Sequence, residues 1–223
     1  DTLRVWKNGE LLASEKFESQ PIKLALLDDN YVVLFENQIS VYDSDLKHIV
    51  LEKLTFNTTE ATVYENKILV SNTNLNNVEE YNFEGKAISK GKSYPVSRAA
   101  PSLIRVSPDT KLVAIGDSFG KYTLYKTEDQ SVVSTRWAFH SSKVLDAQWT
   151  PDSQFLVSAG LDTGILVYSA VRPGKVLKFL LAHQTGVSGV LWTLYDAEKK
   201  TGEIISTGLD GVVKSWKVDL SAY

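Results

Sequence analysis

The chain has 223 residues, 43% apolar and 23% charged, with 24 basic against 27 acidic side chains for a net charge of -3. Both signs are scattered and no Lys/Arg-rich run occurs, so the electrostatic footprint of a nucleic-acid or anionic-membrane binder is missing; nor does any apolar run approach the roughly 20 residues of a membrane span. The absence of cysteine excludes disulfides, thiolate metal sites and cysteine nucleophiles together.

The opening, DTLRVWKNGE, lacks the charged, apolar and small-residue regions of a signal peptide. A start without Met is expected of a piece cut from a longer protein. Along the chain, short runs rich in Val, Ile, Leu and aromatics alternate with turn residues, the pattern of strands. An aromatic closes one run in each period: LRVW at Trp6, ISVY at Tyr42, VEEY at Tyr81, TLY at Tyr125, ILVY at Tyr168 and VKSW at Trp216. The steps are 36, 39, 44, 43 and 48 residues. The turns recur as well. SPDTKLVAIGDS (Ser107 to Ser118) and TPDSQFLVSAGLD (Thr150 to Asp162) share a Pro-Asp head, where Pro presets φ for a turn. LYDAEKKTG (Leu194 to Gly202) holds helix formers between two strand signals and is expected to be an inserted loop. The chain is expected to be all-β, with about four strands per repeat. A period near 40–45 residues is that of propeller blades, which bury each other's faces because a lone four-stranded sheet cannot bury both.

The order AHQTGVSGVLW … ISTGLDGVVKSW resembles a WD repeat: His before the first strand, Ser in the second, Asp in the turn, Trp in the third. The resemblance implies a hydrogen-bonded set stiffening each blade. In the last blade that set is His183, Ser206, Asp210 and Trp216. In the preceding blade it is His140, Ser158, Asp162 and Tyr168, where Tyr departs from Trp. Earlier blades lack the His, and Phe119 takes the turn Asp position beside Asp117, so those blades are expected to rely on packing alone. Within the superfamily, SRAAPSLIRVSPDTKLVAIGDSFGKYTLY and VYSAVRPGKVLKFLLAH are similar to the second propeller of the double-propeller WD-repeat family of the actin cytoskeleton. The implied fold is a WD-repeat β-propeller, residues 1–223 forming one partial domain of a seven-bladed ring. A leading third strand at Thr2 to Trp6 precedes five four-stranded repeats. A whole ring needs about 280–315 residues, so the remaining strands are expected to be supplied elsewhere.

Rival motifs read as structure. GDSFG (Gly116 to Gly120) matches a nucleophile elbow, but a strand follows where the elbow needs a helix, so Ser118 is expected in a hairpin turn. His140 and His183 have no Cys, His-x-x-x-His pair or carboxylate cluster to make a metal site. His48 is expected to face solvent. Trp137 is expected to pack between blades, with an interface anchor as the alternative. The polar turn SNTNLNN (Ser71 to Asn77) lifts Leu75 outward.

The implied function is a non-enzymatic scaffold that binds actin and works with cofilin in filament disassembly, in the cytoplasm at the actin cytoskeleton. No cofactor, metal, nucleic acid, membrane or small-molecule substrate is expected. The alternatives are a generic WD adaptor in ubiquitin ligase or signalling complexes, and a propeller enzyme, for which no convergent acids, bases or ligands are found. In a propeller of this type, the loops entering first strands and the second-to-third-strand turns share a rim. That rim would present Arg98, Lys143 and Gln184 from the loops and Asn74, Leu75, Phe119 and Thr163 from the turns.

Overall fold

A computed structural model describes residues 2–96 and 99–223. They form twenty-one strands and no helix. The chain divides into two compact units, Asp1–Pro95 and Val96–Tyr223.

The N-terminal unit opens with a hairpin of β1 (Thr2–Lys7) and β2 (Glu10–Lys16). Asn8 and Gly9 turn it, both at positive φ (52° and 85°), which the right-handed twist of a two-residue hairpin requires. Two antiparallel four-stranded sheets follow. The first holds β3 (Lys23–Leu27), β4 (Asn30–Phe35), β5 (Gln38–Tyr42) and β6 (His48–Lys53). The second holds β7 (Ala61–Tyr64), β8 (Lys67–Asn72), β9 (Asn77–Phe83) and β10 (Ile88–Pro95). Val32, Leu34, Ile39 and Val41 of the first sheet meet Ile68, Val70 and Tyr81 of the second in one core. Phe17, Val33, Phe35 and Tyr42 make a smaller core on the other face of the first sheet.

The C-terminal unit holds two four-stranded sheets and a three-stranded one, again antiparallel and in chain order. They are β11 (Pro101–Val106), β12 (Leu112–Asp117), β13 (Tyr122–Lys126) and β14 (Val132–Trp137); β15 (Val144–Trp149), β16 (Phe155–Gly160), β17 (Ile165–Ser169) and β18 (Val176–Phe179); and β19 (Val187–Asp196), β20 (Thr201–Gly208) and β21 (Val213–Asp219). Two cores separate the three layers, one around Leu124, Trp137 and Leu156, the other around Val157, Val167 and Ile204. Trp137 is wholly buried and stacks on Tyr168, its ring centre 4.9 Å away, so it is core and not an anchor.

The sequence repeat straddles the sheets. Counted as outer, first, second and third strand, the described residues give one leading strand and five sets of four. The aromatics at Tyr42, Tyr81, Tyr125, Tyr168 and Trp216 all lie on third strands. The Pro-Asp heads form matching turns. Ser107 Oγ donates to Asp109 (2.6 Å) and accepts the Leu112 N–H, while Thr150 Oγ1 donates to Asp152 (2.6 Å) and accepts the Phe155 N–H. First strands are stitched to one another at a fixed offset of 44 residues. The Trp149 indole donates to Arg105 O (3.1 Å), the Trp192 indole to Gln148 O (3.2 Å), and the Val190 N–H to Asp146 Oδ2 (3.0 Å).

One expectation fails. Leu194 to Gly202 is not an inserted loop: β19 and β20 run on to pair Leu194 with Glu203 and Asp196 with Thr201, leaving only residues 197–200 as a turn. The Ala-Glu-Lys-Lys run is too short to nucleate a helix, while Tyr195 packs on Trp192 and donates its hydroxyl to Asp152 (2.9 Å).

Candidate functional site: the loop-and-turn rim of the C-terminal unit

Each second-to-third-strand turn must meet the loop that enters its sheet, and both carry backbone N–H groups outside the strand ladder. In the β19–β21 sheet, His183 in the loop spans the gap. Its Nδ1 lies 3.0 Å from Asp210 Oδ1 in the turn and its Nε2 lies 2.8 Å from Ser206 Oγ. The Trp216 indole N–H donates to the same Ser206 oxygen at 2.8 Å. The Asp210 carboxylate can only accept, so Nδ1–H donates to it, and in that tautomer the Ser206 hydroxyl donates to Nε2 while accepting the indole N–H. Asp210 then accepts the Gln184 N–H (2.9 Å) and the Val212 N–H (3.1 Å). The Gln184 amide, opposed by partial desolvation and joined by His183 and Val212, lowers the Asp210 carboxyl to about 2.

The β15–β18 sheet repeats this with one member changed. His140 Nδ1 lies 2.9 Å from Asp162 Oδ1 and Nε2 2.8 Å from Ser158 Oγ, and Asp162 accepts the Ser141 N–H at 2.8 Å. Burial works against ionisation of Asp162, yet the imidazole and the Ser141 and Gly164 amides outweigh it and hold the carboxyl below its usual range. Tyr168 replaces the indole and makes no matching bond; its buried hydroxyl has no hydrogen-bond partner. Glycine precedes both turns for a steric reason: a Cβ at Gly160 or Gly208 would land on the His–Asp contact.

Ser, His and Asp at these distances match the order of a hydrolase triad. The serines Ser158 and Ser206, however, are 0% exposed, and both imidazoles are fully covered. No substrate reaches either hydroxyl at these sets. Ser118 sits in the β12–β13 hairpin turn, and the nearby His140 has both nitrogens already engaged. Among the described residues, no group of three or more His, Cys, Asp or Glu is placed to hold a metal ion.

The β11–β14 turn has Phe119 at the Asp position, and Asp117 stands where the other sheets have glycine. With no imidazole to accommodate, its carboxylate turns back to accept the Phe119 N–H (2.9 Å) and the Lys121 N–H (3.0 Å). Phe119 is left 72% exposed. Gly120 (φ 88°) lies against Ser142 and His140, so this turn adjoins the loop that enters β15. Thr163, at φ 67°, offers its carbonyl to the Ala182 N–H at 2.9 Å, and Gln184 is exposed beside Asp210. The structure therefore brings Phe119, Lys143, Thr163 and Gln184 onto adjoining loops and turns of one unit. Asn74 and Leu75 belong to the N-terminal unit, and Arg98 lies outside the described residues.

The expectation that earlier sheets rely on packing alone is corrected in the β7–β10 sheet. There Ser71 Oγ accepts the Thr59 and Glu60 N–H groups (2.9 and 3.0 Å), Thr73 Oγ1 donates to Asn57 O (2.9 Å), and Asn72 Oδ1 accepts the Asn74 and Leu75 N–H groups (3.1 Å each). Asn74 is thus part of this clasp, its Oδ1 facing the Asn57 N–H at 3.4 Å, while Leu75 stands 69% exposed. The polar run in the sequence signals the turn. The loop it ties lies 11 to 17 residues away, beyond local pattern. His48 is exposed on β6 as expected. No helix among the described residues is long and apolar enough to cross a membrane.

Comparison with known proteins agrees with this geometry. The model of the WD40 domain of anaphase-promoting complex subunit 4 matches residues 104–195. An uncharacterized WD repeat-containing protein of Schizosaccharomyces pombe is 30% identical over 234 residues, covering 98% of this chain and 36% of that protein. Actin-interacting protein 1 of Drosophila melanogaster is 31% identical over 118 residues, or 52% of this chain and 18% of that protein. WD repeat-containing protein 1-B of Xenopus laevis is 26% identical over 98% of this chain and 36% of its own length. The chain thus spans about a third of its full-coverage relatives. The crystal structure of the computationally designed Ika8 protein superposes with a TM-score of 0.79 at 16% identity, covering 97% of this chain and 65% of that one, a likeness of fold alone. WD-repeat proteins generally act as scaffolds in protein–protein interaction. The chain carries WD repeats, its sheets are blades of the WD-repeat β-propeller type, and it resembles actin-interacting protein 1 over about half its length.

Proposed function

We propose that the chain is part of a non-enzymatic, cytoplasmic actin-binding scaffold that promotes cofilin-dependent filament disassembly, and that residues 1–223 form part of the second of two propellers. The likeness to a protein named for interacting with actin supports the partner. One observation carries the location. On the rim of the C-terminal unit the carboxylates of Asp117, Asp162 and Asp210 are all turned inward onto backbone N–H groups. Among the side chains left facing out, Phe119, Leu161 and Leu209 are exposed apolar groups, and Lys121 and Lys143 have no ion pair among the described residues. A rim that hides its acids and presents an aromatic anchor between cations suits an acidic protein surface. Thr163 and Gln184 serve the same surface by shaping its turns.

The test is disassembly of cofilin-decorated actin filaments by the intact protein. Phe119→Ala with Lys143→Ala is expected to slow disassembly about tenfold, a loss of ~1.4 kcal/mol, with the melting temperature unchanged. Undiminished disassembly would remove this rim from the account. The alternative, a generic WD adaptor, is favoured by the match to the anaphase-promoting complex domain. It predicts no co-sedimentation with filaments at all.

A further inference from the structure

A leucine in the left-handed region crowds its Cβ against backbone carbonyl oxygen, so that conformation falls to glycine and polar turn residues unless packing compensates. Among the described residues the non-glycine positions at positive φ are polar with two exceptions, Leu46 (φ 60°) and Leu181 (φ 53°). The two leucines meet the strain differently. Leu46 is 5% exposed, so its side chain gains a buried place in return. Leu181 is 83% exposed, and Leu180 before it is 72% exposed. Burial compensates neither of this pair.

The pair is nonetheless held firmly, in the turn between β18 and β19. Ala182, directly after it, is buried; its N–H and that of His183 donate to Thr163 O (2.9 and 3.4 Å), and its carbonyl accepts Lys214 Nζ of β21 (2.6 Å). Two residues before the pair, Lys178 Nζ stands 4.2 Å from the centre of the half-exposed Phe139 ring, which pins the ammonium beside the leucines. Lys178 has no ion pair among the described residues, and the turn carboxylates of the two adjoining sheets, Asp162 and Asp210, are bonded to His140 and His183. The β15–β18 and β19–β21 sheets on either side of the turn share one core, so want of a neighbouring sheet does not account for the exposure.

A strained, clamped, solvent-facing apolar pair beside a pinned cation has the makeup of an interface anchor. We infer that Leu180 and Leu181 form a docking knob for a protein partner whose surface offers an apolar pocket edged by carboxylates. A bilayer would call for a broader apolar face and more cations than one lysine. Thr163, which holds the backbone after the pair, and Gln184, three residues beyond it, place the knob at the outer end of the rim described above. The partner is then the cofilin-decorated filament, and the inference rests on that proposed function.

The probe is cofilin-decorated actin filaments, co-sedimented with the intact protein. Leu180→Ser and Leu181→Gly should each weaken binding about fivefold. Lys178→Gln should weaken it about twofold and reduce its salt dependence. Leu181→Gly discriminates between roles. Glycine relieves the backbone, so the melting temperature should hold or rise while binding falls; a leucine that served the fold would give a lower melting temperature with binding intact. Full binding by both leucine variants, or a lowered melting temperature for Leu181→Gly, would overturn the inference. If the native protein never sedimented with filaments, the proposed function would fall and this partner with it. If it sedimented, and lost binding through Phe119→Ala with Lys143→Ala but not through the leucines, the knob alone would fall. Leucine-dependent flotation with phosphatidylserine vesicles in place of sedimentation would overturn the protein partner.

Discussion

The β19–β21 sheet and the β7–β10 sheet tie a loop to a turn with different chemistry. In the first, a loop imidazole crosses the gap and a turn carboxylate collects the amides of Gln184 and Val212. In the second no imidazole is present; the loop comes down to the strand, where the Ser71 hydroxyl collects the amides of Thr59 and Glu60. The unpaired N–H groups of the entering loop are the common demand, and any well-placed acceptor answers it. The reach differs, and with it the steric bill. The imidazole needs a glycine beneath it, at Gly208 and Gly160, whereas Asp117 and Asn72 occupy that place where no imidazole does.

The comparison is broken most severely by filling the space under the imidazole. Gly208→Ala would put a methyl group on both His183 and Asp210, and is expected to cost ~3 kcal/mol by urea denaturation, overpacking added to lost bonds. A cost under ~1 kcal/mol would mean the pair has slack. Next, His183→Ala should cost ~1–3 kcal/mol by stranding Ser206 and Asp210, and Ser71→Ala about half as much, since of the two amides it serves that of Thr59 is only part-buried. His48→Ala, on the exposed strand, should be near neutral. The smallest effects separate the two C-terminal sheets. Trp216→Phe should cost about 1 kcal/mol because it breaks the bond to Ser206, while Tyr168→Phe should be neutral or slightly stabilising because it removes a hydroxyl with no partner. Equal losses would show that packing and not the hydrogen bond sets the difference.

Much of this was legible before any coordinates. Aromatic spacing and Pro-Asp turns marked the strand repeat, because a period-two hydrophobic pattern and turn chemistry are local. His183 and His140 stood out because each precedes a first strand at the same offset. The Ser71 clasp was not legible, since a serine on a strand looks the same whether it bonds a loop 11 residues back or merely fills space. Glu79 and Glu80 were equally opaque. Both are buried on β9, where apolar residues are the rule, and they survive there through Lys90 and Lys67 at 3.3 Å, partners brought up by neighbouring strands. The loop expected over Leu194 to Gly202 was too wide: residues 194–196 and 201–202 continue β19 and β20, whose cross-strand pairing is not a local signal, and only 197–200 turn.

Amide hydrogen exchange on paired variants tests most directly whether each sheet carries its own clasp. Asp210→Ala should speed exchange at Gln184 and Val212 about tenfold or more, the equivalent of ~1.4 kcal/mol of local protection, and leave Thr59 and Glu60 as they were. Ser71→Ala should do the reverse. If either substitution accelerated both pairs of amides alike, or neither, the loops would be held by something other than these local acceptors.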